Sequence, residues 1–370
     1  MTGVSTPREE TAPRSRNWAR LRRIVGPLTS IVIVVAVFWY FLPQFTSVSD
    51  VWDSVRSMTG VEIAILALAA VWNLATYWLV MVATMPGLTY PQAAVVTESS
   101  TAVSNTVPGG GAIGIAMSYA MYGSWGFSRT RSSVSLLVAG VWNNFAKLAM
   151  PVLALALLAF TGAGGSTARI IAGALGVAGL IGAIIVFGLL LRSRESARQV
   201  GIVSGRIASS ILRVLHRPPV HGWELATMKF RERTIMLLRA RWLRITVLTL
   251  VSHLSLFLVL LLALRFVGVS QSQVGWAEAL AVFTFARLLS AIPLTPGGLG
   301  VIEVALITGL SAAGGVRSEV AAAVLVFRAL TYVLPIPVGL GTYVFWRRNR
   351  SWRRAPNTAP RTPLVPETTS

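Results

Sequence analysis

Five ionisable side chains lie inside uncharged apolar stretches of this chain: Glu98, Lys147, Arg287, Glu303 and Arg328. A charge at the centre of a bilayer costs about 2.5–3.5 kcal/mol on insertion scales, so such groups are functional candidates by default. The set holds three cations and two anions, which leaves room for an anionic ligand. Phosphate would suit arginine, whose planar fork grips two oxygens at once. The plainer reading is that these groups are internal ion pairs that only hold helices together, and the sequence leaves both readings open. Neutral polar residues share their faces: Asn143 lies four before Lys147 and Tyr332 four after Arg328, the spacing of neighbours on one helix surface. His253 joins the set as a neutral group. Arg265 and Glu278 sit near segment ends, from which they reach the interface.

The same residues flank two interruptions. Pro108-Gly109-Gly110 and Pro296-Gly297-Gly298 each fall in the middle of apolar sequence, the second followed by Gly300. Proline removes a backbone donor and glycine relaxes the chain, so neither continues a helix comfortably. Backbone groups freed inside a membrane are tolerated only where protein or a watery cavity surrounds them. Two such breaks in corresponding positions of two halves point to a binding site between repeats. Asn105, three residues before Pro108, has an amide that can bond freed backbone groups or a ligand. The helix opening after Pro296-Gly297-Gly298 is expected to add backbone donors and a positive dipole end.

These arguments need a membrane, and composition supplies one. Hydrophobic residues make up 54% of the chain, charged residues 12%, and the mean hydropathy is +0.67. Soluble domains carry about 25% charged residues. The uncharged runs Val25 to Phe45 and Ile170 to Leu191 exceed the roughly 18 residues that indicate a span. Val25 to Phe45 has no small-residue cleavage site and is followed by further apolar segments, so it reads as a span and not as a signal peptide.

The net charge of +20 is concentrated rather than spread. Six Lys or Arg residues lie in 1–23, twelve in 192–244 and six after Trp346, most of the 33 in the chain. Basic tails and one basic central segment are the positive-inside pattern, and no nucleic-acid partner is expected. The pattern predicts cytoplasmic N- and C-termini in the cell membrane: a basic tail over 1–23, a transmembrane domain over 24–346 and a disordered tail over 347–370. Within the domain, 61–160 forms one repeat, 192–244 a cytoplasmic loop and 245–346 a second repeat. In that loop Val200, Val203, Ile207, Ile211 and Leu215 recur at helical spacing, as in a helix on the membrane surface or one packed on the protein's own loops. Pro108 pairs with Pro296 and Pro151 with Pro337 at offsets differing by only two residues, while the charge map orients the two breaks oppositely. The predicted fold class is an all-α polytopic membrane protein, with about six full spans and two Pro-Gly-broken hairpins, spanning or re-entrant, in an inverted-topology repeat.

Several chemistries have no support. With no cysteine, thiolate nucleophiles and cysteine-ligated metals are excluded, and the three histidines form no zinc-ligand spacing. No Ser/His/Asp set or P-loop is present. Residues 109–114 fit G-x-G-x-x-G by letter, but no strand precedes them. No catalytic residue, metal or cofactor is expected, and the protein is not expected to be an enzyme. Gly173, Gly176, Gly179 and Gly182 recur every three residues, as close helix packing would require.

The stretch Leu294-Thr295-Pro296-Gly297-Gly298-Leu299-Gly300-Val301-Ile302-Glu303 resembles the signature of the lysylphosphatidylglycerol synthase transmembrane family of flippase-like membrane proteins. Phe327-Arg328-Ala329-Leu330-Thr331-Tyr332-Val333-Leu334-Pro335, followed by Gly339, is similar to that family's arginine-bearing final region, and Asn105 with Pro108-Gly109 resembles its first-half motif. The chain departs from the family pattern in having Ile302 where a basic residue often precedes the motif glutamate. It also lacks the usual acidic residue soon after the first Pro-Gly. The resemblance implies a lipid-handling membrane module without the soluble aminoacyl-transfer domain that some members carry.

Together these features predict a lipid translocase whose partners are membrane lipids with anionic headgroups. Arg287, Arg328, Lys147, Asn105, Tyr332 and Asn143 would bind substrate. Glu98 and Glu303 would balance charge or carry a coupling proton. Pro108, Gly109, Gly110, Pro296, Gly297, Gly298 and Gly300 would supply the helix-break backbone. The alternatives are an ion- or proton-coupled transporter of a small anion and a non-transporting partner of an envelope-lipid enzyme.

Overall fold

The computed structural model describes residues 53, 56–107, 110–160, 223–290 and 295–353, with single positions between 178 and 202. The expected span at Val25 to Phe45, Pro108 and Gly109, most of Ile170 to Leu191, and all five apolar positions of the surface helix lie outside these residues. Among the described residues every regular element is helical. In chain order they are α1 (Gly60–Thr84), α2 (Tyr90–Thr106), α3 (Gly110–Ser124), α4 (Arg129–Phe160), α5 (Trp223–Val267), α6 (Trp276–Leu289), α7 (Val301–Ala312), α8 (Arg317–Arg328) and α9 (Pro335–Arg348).

Among the described residues, four stretches are long and apolar enough to cross a membrane: Gly60–Thr84, Arg129–Leu158, Met228–Val267 and Arg317–Arg348. Their outward faces carry exposed Val61, Leu68, Val71, Leu153, Leu254, Leu258 and Leu340. Their inward faces carry polar groups. Asn73 of α1 donates to Ser255 Oγ of α5 at 2.8 Å, and Trp142 of α4 donates to Thr246 Oγ1 of α5 at 2.8 Å. Apolar outside with paired polar groups inside is what a lipid solvent demands. The protein is a multi-pass membrane protein.

Local sequence explains where the helices begin and end. Thr59 and Glu62 form a capping box at the start of α1, as Thr89 and Gln92 do for α2. Helix α2 stops at Val107, whose extended backbone (φ −115°, ψ 131°) is what a following proline imposes. At the second break a single 3₁₀ turn spans Pro296–Gly298, and Gly297, Gly298 and Gly300 all have φ between +59° and +79°. Side chains are strained in that region, so this turn requires its glycines.

Several features refine the sequence expectation. The basic segment expected as a loop to residue 244 is already helical from Trp223, continuous with the span that follows, because no glycine or proline interrupts 223–267. The final span expected from Ser318 to Trp346 is found over Arg317–Arg348, built of α8 and α9 joined by a π-helical segment, Ala329–Val333. Pro335 and Pro337 cannot donate to the preceding turn, and Leu334 N–H reaches back five residues to the Ala329 carbonyl at 2.8 Å. Beyond α9, Trp352 packs edge-on to Trp125 and Phe345, so the ordered chain extends past the boundary expected at 347. Of the glycine stripe, Gly173 and Gly176 lie outside the described residues, and a Cβ at Gly179 or Gly182 would meet nothing within 4 Å among the described residues.

Each break separates two short helices that pack on each other, α2 on α3 and α6 on α7. Gly110 and Gly114 make the first contact possible, since a Cβ at either would strike the α2 backbone near Val103, Ser104 and Ser100. Their letters fit a nucleotide fingerprint, but their use here is close helix contact. The halves then interlock: α2 lies along α9, α6 lies along α4, and α1 lies along α5. A cluster from α4 to α8, including Leu260, Leu264, Phe283, Leu306, Leu310 and Phe327, forms the largest core.

Gly339 sets the distance between α2 and α9. A Cβ there would lie 2.2 Å from the Glu98 carbonyl, whereas a Cβ at Gly341 would meet nothing within 4 Å. Gly339→Ala should therefore destabilise the protein by about 1–3 kcal/mol, the cost of overpacking. Gly341→Ala should be neutral or gain up to about 1 kcal/mol from helix propensity. Thermal unfolding of the two variants in the same detergent compares them directly.

Candidate functional site

A cavity of about 320 Å³ opens between α1, α2, α4, α6, α8 and the π-helical segment. Glu98 and Asn105 from α2, Asn143 and Lys147 from α4, Arg287 from α6, Arg328 from α8, and Tyr332 and Gly297 all line it. Residues from positions 98 to 332 thus converge on one space, drawn from both halves of the chain. Glu303 is not part of the lining; it lies behind the wall, bound to Arg328.

Arg328 organises the second break. Its Nε donates to Glu303 Oε1 at 2.6 Å, its Nη2 donates to the Gly297 carbonyl at 3.3 Å, and its guanidinium lies 4.5 Å from the Tyr332 ring centre. Glu303 lies in the first turn of α7, so this pair fixes α7 to α8 across the turn. The opening of α7 lies beside the cavity through Ile302, and no side chain caps it.

Tyr332 then joins the two breaks. Its hydroxyl donates to the Asn105 carbonyl at 2.5 Å, and Asn105 Nδ2 donates back to the Tyr332 carbonyl at 3.2 Å. Asn105 is in the last turn of α2, so the reciprocal bonds satisfy backbone groups next to the first break. Gly297 fits beneath the tyrosine: a Cβ there would lie 2.2 Å from the ring.

The remaining charges are differently held. Glu98 is buried, and its Oε1 accepts a bond from Trp78 Nε1 at 2.6 Å while Oε2 has no partner. Lys147 is buried and Arg287 half-buried, and among the described residues neither has a hydrogen-bond or ion-pair partner. The Arg287 Nε is sealed from solvent without a bond. Asn143 shares the Lys147 face, as its spacing predicts, and its Oδ1 meets His253 Nε2 at 3.1 Å. The cavity therefore presents two uncompensated cations beside one neutralised arginine, with one half-bonded carboxylate also in its wall. Such a space favours a ligand that brings negative charge and several acceptor oxygens.

The structure brings Glu98, Asn105, Asn143, Lys147, Arg287, Arg328 and Tyr332 to one place, with Glu303 immediately behind. Gly110 lies instead at the α2–α3 contact, Gly298 and Gly300 shape the turn, and Pro108 and Gly109 lie outside the described residues. The side chain of Pro296 lies outside them too. Sequence reasoning missed Asn73, Tyr77, Thr97, Thr101 and Ser290, which also line the cavity. Asn73 and Tyr77 are four apart on α1, the same signal that paired Asn143 with Lys147.

Residues 28–339 match the family described as the lysylphosphatidylglycerol synthase TM region. No individual curated protein matches the chain. The match covers most of the sequence, both breaks and every side chain of the cavity, and the chain belongs to this family. Membership indicates a function connected with membrane lipids.

The Gly297–Tyr332 contact yields a graded prediction. Gly297→Ala places a methyl group into the ring at φ +59° and should cost more than the ~1–3 kcal/mol of backbone strain alone. Tyr332→Phe removes the bond to the Asn105 carbonyl and should cost about 1 kcal/mol. Thermal unfolding should rank wild type, Tyr332→Phe and Gly297→Ala in that order of stability.

Proposed function

We propose that this member of the lysylphosphatidylglycerol synthase transmembrane family is a lipid translocase, moving an anionic phospholipid or polyprenyl-phosphate-type lipid between leaflets. The observation that carries the reading is the unpaired pair of cations, Lys147 and Arg287, facing one cavity from α4 and α6. Leaving two positive charges without a partner in an apolar protein is costly, and a phosphate entering the cavity would offset that cost. Arg328 would supply a third contact while staying fixed by Glu303. The cavity suits a headgroup, and the apolar outer faces of the long helices would let acyl chains remain in the bilayer. Membership of a lipid-related family favours a lipid over a small soluble anion with the same charge.

The arrangement also supports an alternating-access route. The first half contributes α1, α2 and α4 to the cavity and the second α6, α7 and α8, and α2 lies on α9 as α6 lies on α4. We read this as an inverted repeat, with both helix pairs re-entrant. At ~1.5 Å per residue, α2 reaches about 25 Å and α7 about 18 Å, less than the ~30 Å apolar core. The basic N- and C-terminal segments face the cytoplasm in this arrangement, at the cell membrane. Glu98, with one free carboxylate oxygen in the cavity, is the group we assign to charge balance or proton coupling. No bond of the lipid is made or broken.

In liposomes, the purified protein should accelerate exchange of labelled phosphatidylglycerol between leaflets. Arg328→Ala and Glu303→Gln should each slow it by at least about tenfold, a loss of about 1.4 kcal/mol of barrier stabilisation. Wild-type rates in both variants contradict the residue assignments. Uptake of soluble phosphate driven by a pH gradient, with no lipid movement, contradicts the translocase itself.

A further inference from the structure

A second cleft lies apart from the central cavity, where the end of α1, the start of α4 and the first half of α5 meet. It has a volume of about 250 Å³ and is lined by Thr84, Met85, Pro86, Arg131, Val134, Arg233, Met236, Leu237, Ala240 and Arg241. The three arginines come from two helices. Each spends one nitrogen on a neutral acceptor: Arg131 Nη2 donates to the Pro86 carbonyl at 2.6 Å, Arg233 Nη1 to Ser128 Oγ at 3.3 Å, and Arg241 Nη1 to the Val82 carbonyl at 3.4 Å. Among the described residues no carboxylate pairs with any of them, and none lines the cleft. Arg131 also lies 5.4 Å from the Phe127 ring centre, and among the described residues the other guanidinium donors have no acceptor.

Apart from Thr84, the side chains of the rest of the lining are apolar. Around the cleft, α5 exposes large apolar side chains at Met236, Trp242 and Leu243, each more than half exposed, interleaved with Arg239, Arg241 and Arg244. Exposed apolar and aromatic groups alternating with arginines mark a helix surface at the boundary between lipid tails and headgroups. Basic pockets between membrane helices at such a boundary suit acidic headgroups.

We propose that this cleft is a second lipid site, which holds the phosphate of an anionic phospholipid between Arg131, Arg233 and Arg241. The cleft is smaller than the ~300–1,000 Å³ of typical ligand pockets, so it admits a glycerophosphate headgroup and leaves the acyl chains outside. Those chains would run over Met236 and the exposed face of α5. The lipid here is a bound companion and not cargo: Met85, Val134 and Leu237 close the cleft with apolar side chains, Thr84 is engaged by Ser135 Oγ at 3.0 Å, and no lining residue is shared with the central cavity. The inference stands or falls independently of lipid translocation through the central cavity.

Native mass spectrometry of the full-length protein in a neutral detergent, titrated with phosphatidylglycerol and with phosphatidylcholine, tests it. In a Lys147→Met background, which removes one of the two central cations, the protein should still retain one phosphatidylglycerol at least about tenfold more tightly than phosphatidylcholine. Adding Arg233→Gln and Arg241→Gln to that background should abolish the preference. Ala240→Glu in the same background, which sets an anion at the exposed rim, should abolish it too and serves should the combined variant fail to fold. An unchanged preference in the folded variants overturns the proposal. So does loss of the preference in Lys147→Met, which would place the lipid in the central cavity. Displacement of the lipid by millimolar inorganic phosphate would show a free-anion site and would equally overturn it.

Discussion

One buried guanidinium holds the second break together. Arg328 reaches Glu303 on α7, the Gly297 carbonyl in the turn and the Tyr332 ring in the π-helical segment. A helix interrupted within a membrane leaves carbonyl and amide groups that lipid cannot satisfy, so something inside the protein must bond them. Here a charged side chain does so, and its own charge is offset by a carboxylate on the helix that follows the break. Removing either partner strands the other in an apolar interior, a loss of about 3–5 kcal/mol for buried pairs. The geometry of the turn follows from this arrangement, since only glycine fits beneath Tyr332 at position 297.

The first break is held by the same group at one remove. Tyr332 is positioned by its contact with Arg328, and it closes a two-way bond with Asn105 at the end of α2. Both breaks therefore meet at one tyrosine, beside the cavity that contains Lys147 and Arg287. The division of labour among the cations is informative. Arg328 has its counter-ion and serves the scaffold, while Lys147 and Arg287 lack one. A purely structural set of charges would leave no cation without a partner. In the function proposed above, that excess positive charge would receive an anionic ligand, and family membership favours a lipid as its source.

Much of this was legible in the sequence because charges in apolar stretches are rare and costly. Glu98, Lys147, Arg287 and Arg328 stood out for that reason alone, and the helical spacing placed Asn143 and Tyr332 with them. Glu303 was legible as a charge, but its place behind the wall depends on the α7–α8 packing. Asn73, Tyr77, Thr97 and Thr101 were not legible, since neutral polar residues in membrane helices usually serve packing. The π-helical segment escaped too. Pro335 and Pro337 removed the donors that would have continued α8 regularly, yet Pro337 had drawn attention only as a partner of Pro151. The absence of glycine and proline through 223–267 did carry the signal for a continuous α5, and the density of arginine obscured it.

The central claim is that Lys147 and Arg287 await a lipid phosphate. An experimental structure of the protein in nanodiscs of phosphatidylglycerol tests this most directly. The account predicts headgroup density in the central cavity, with a phosphate oxygen within about 3 Å of both the Lys147 amine and the Arg287 guanidinium. A cavity holding only water, with Lys147 or Arg287 paired to Glu98, would contradict it.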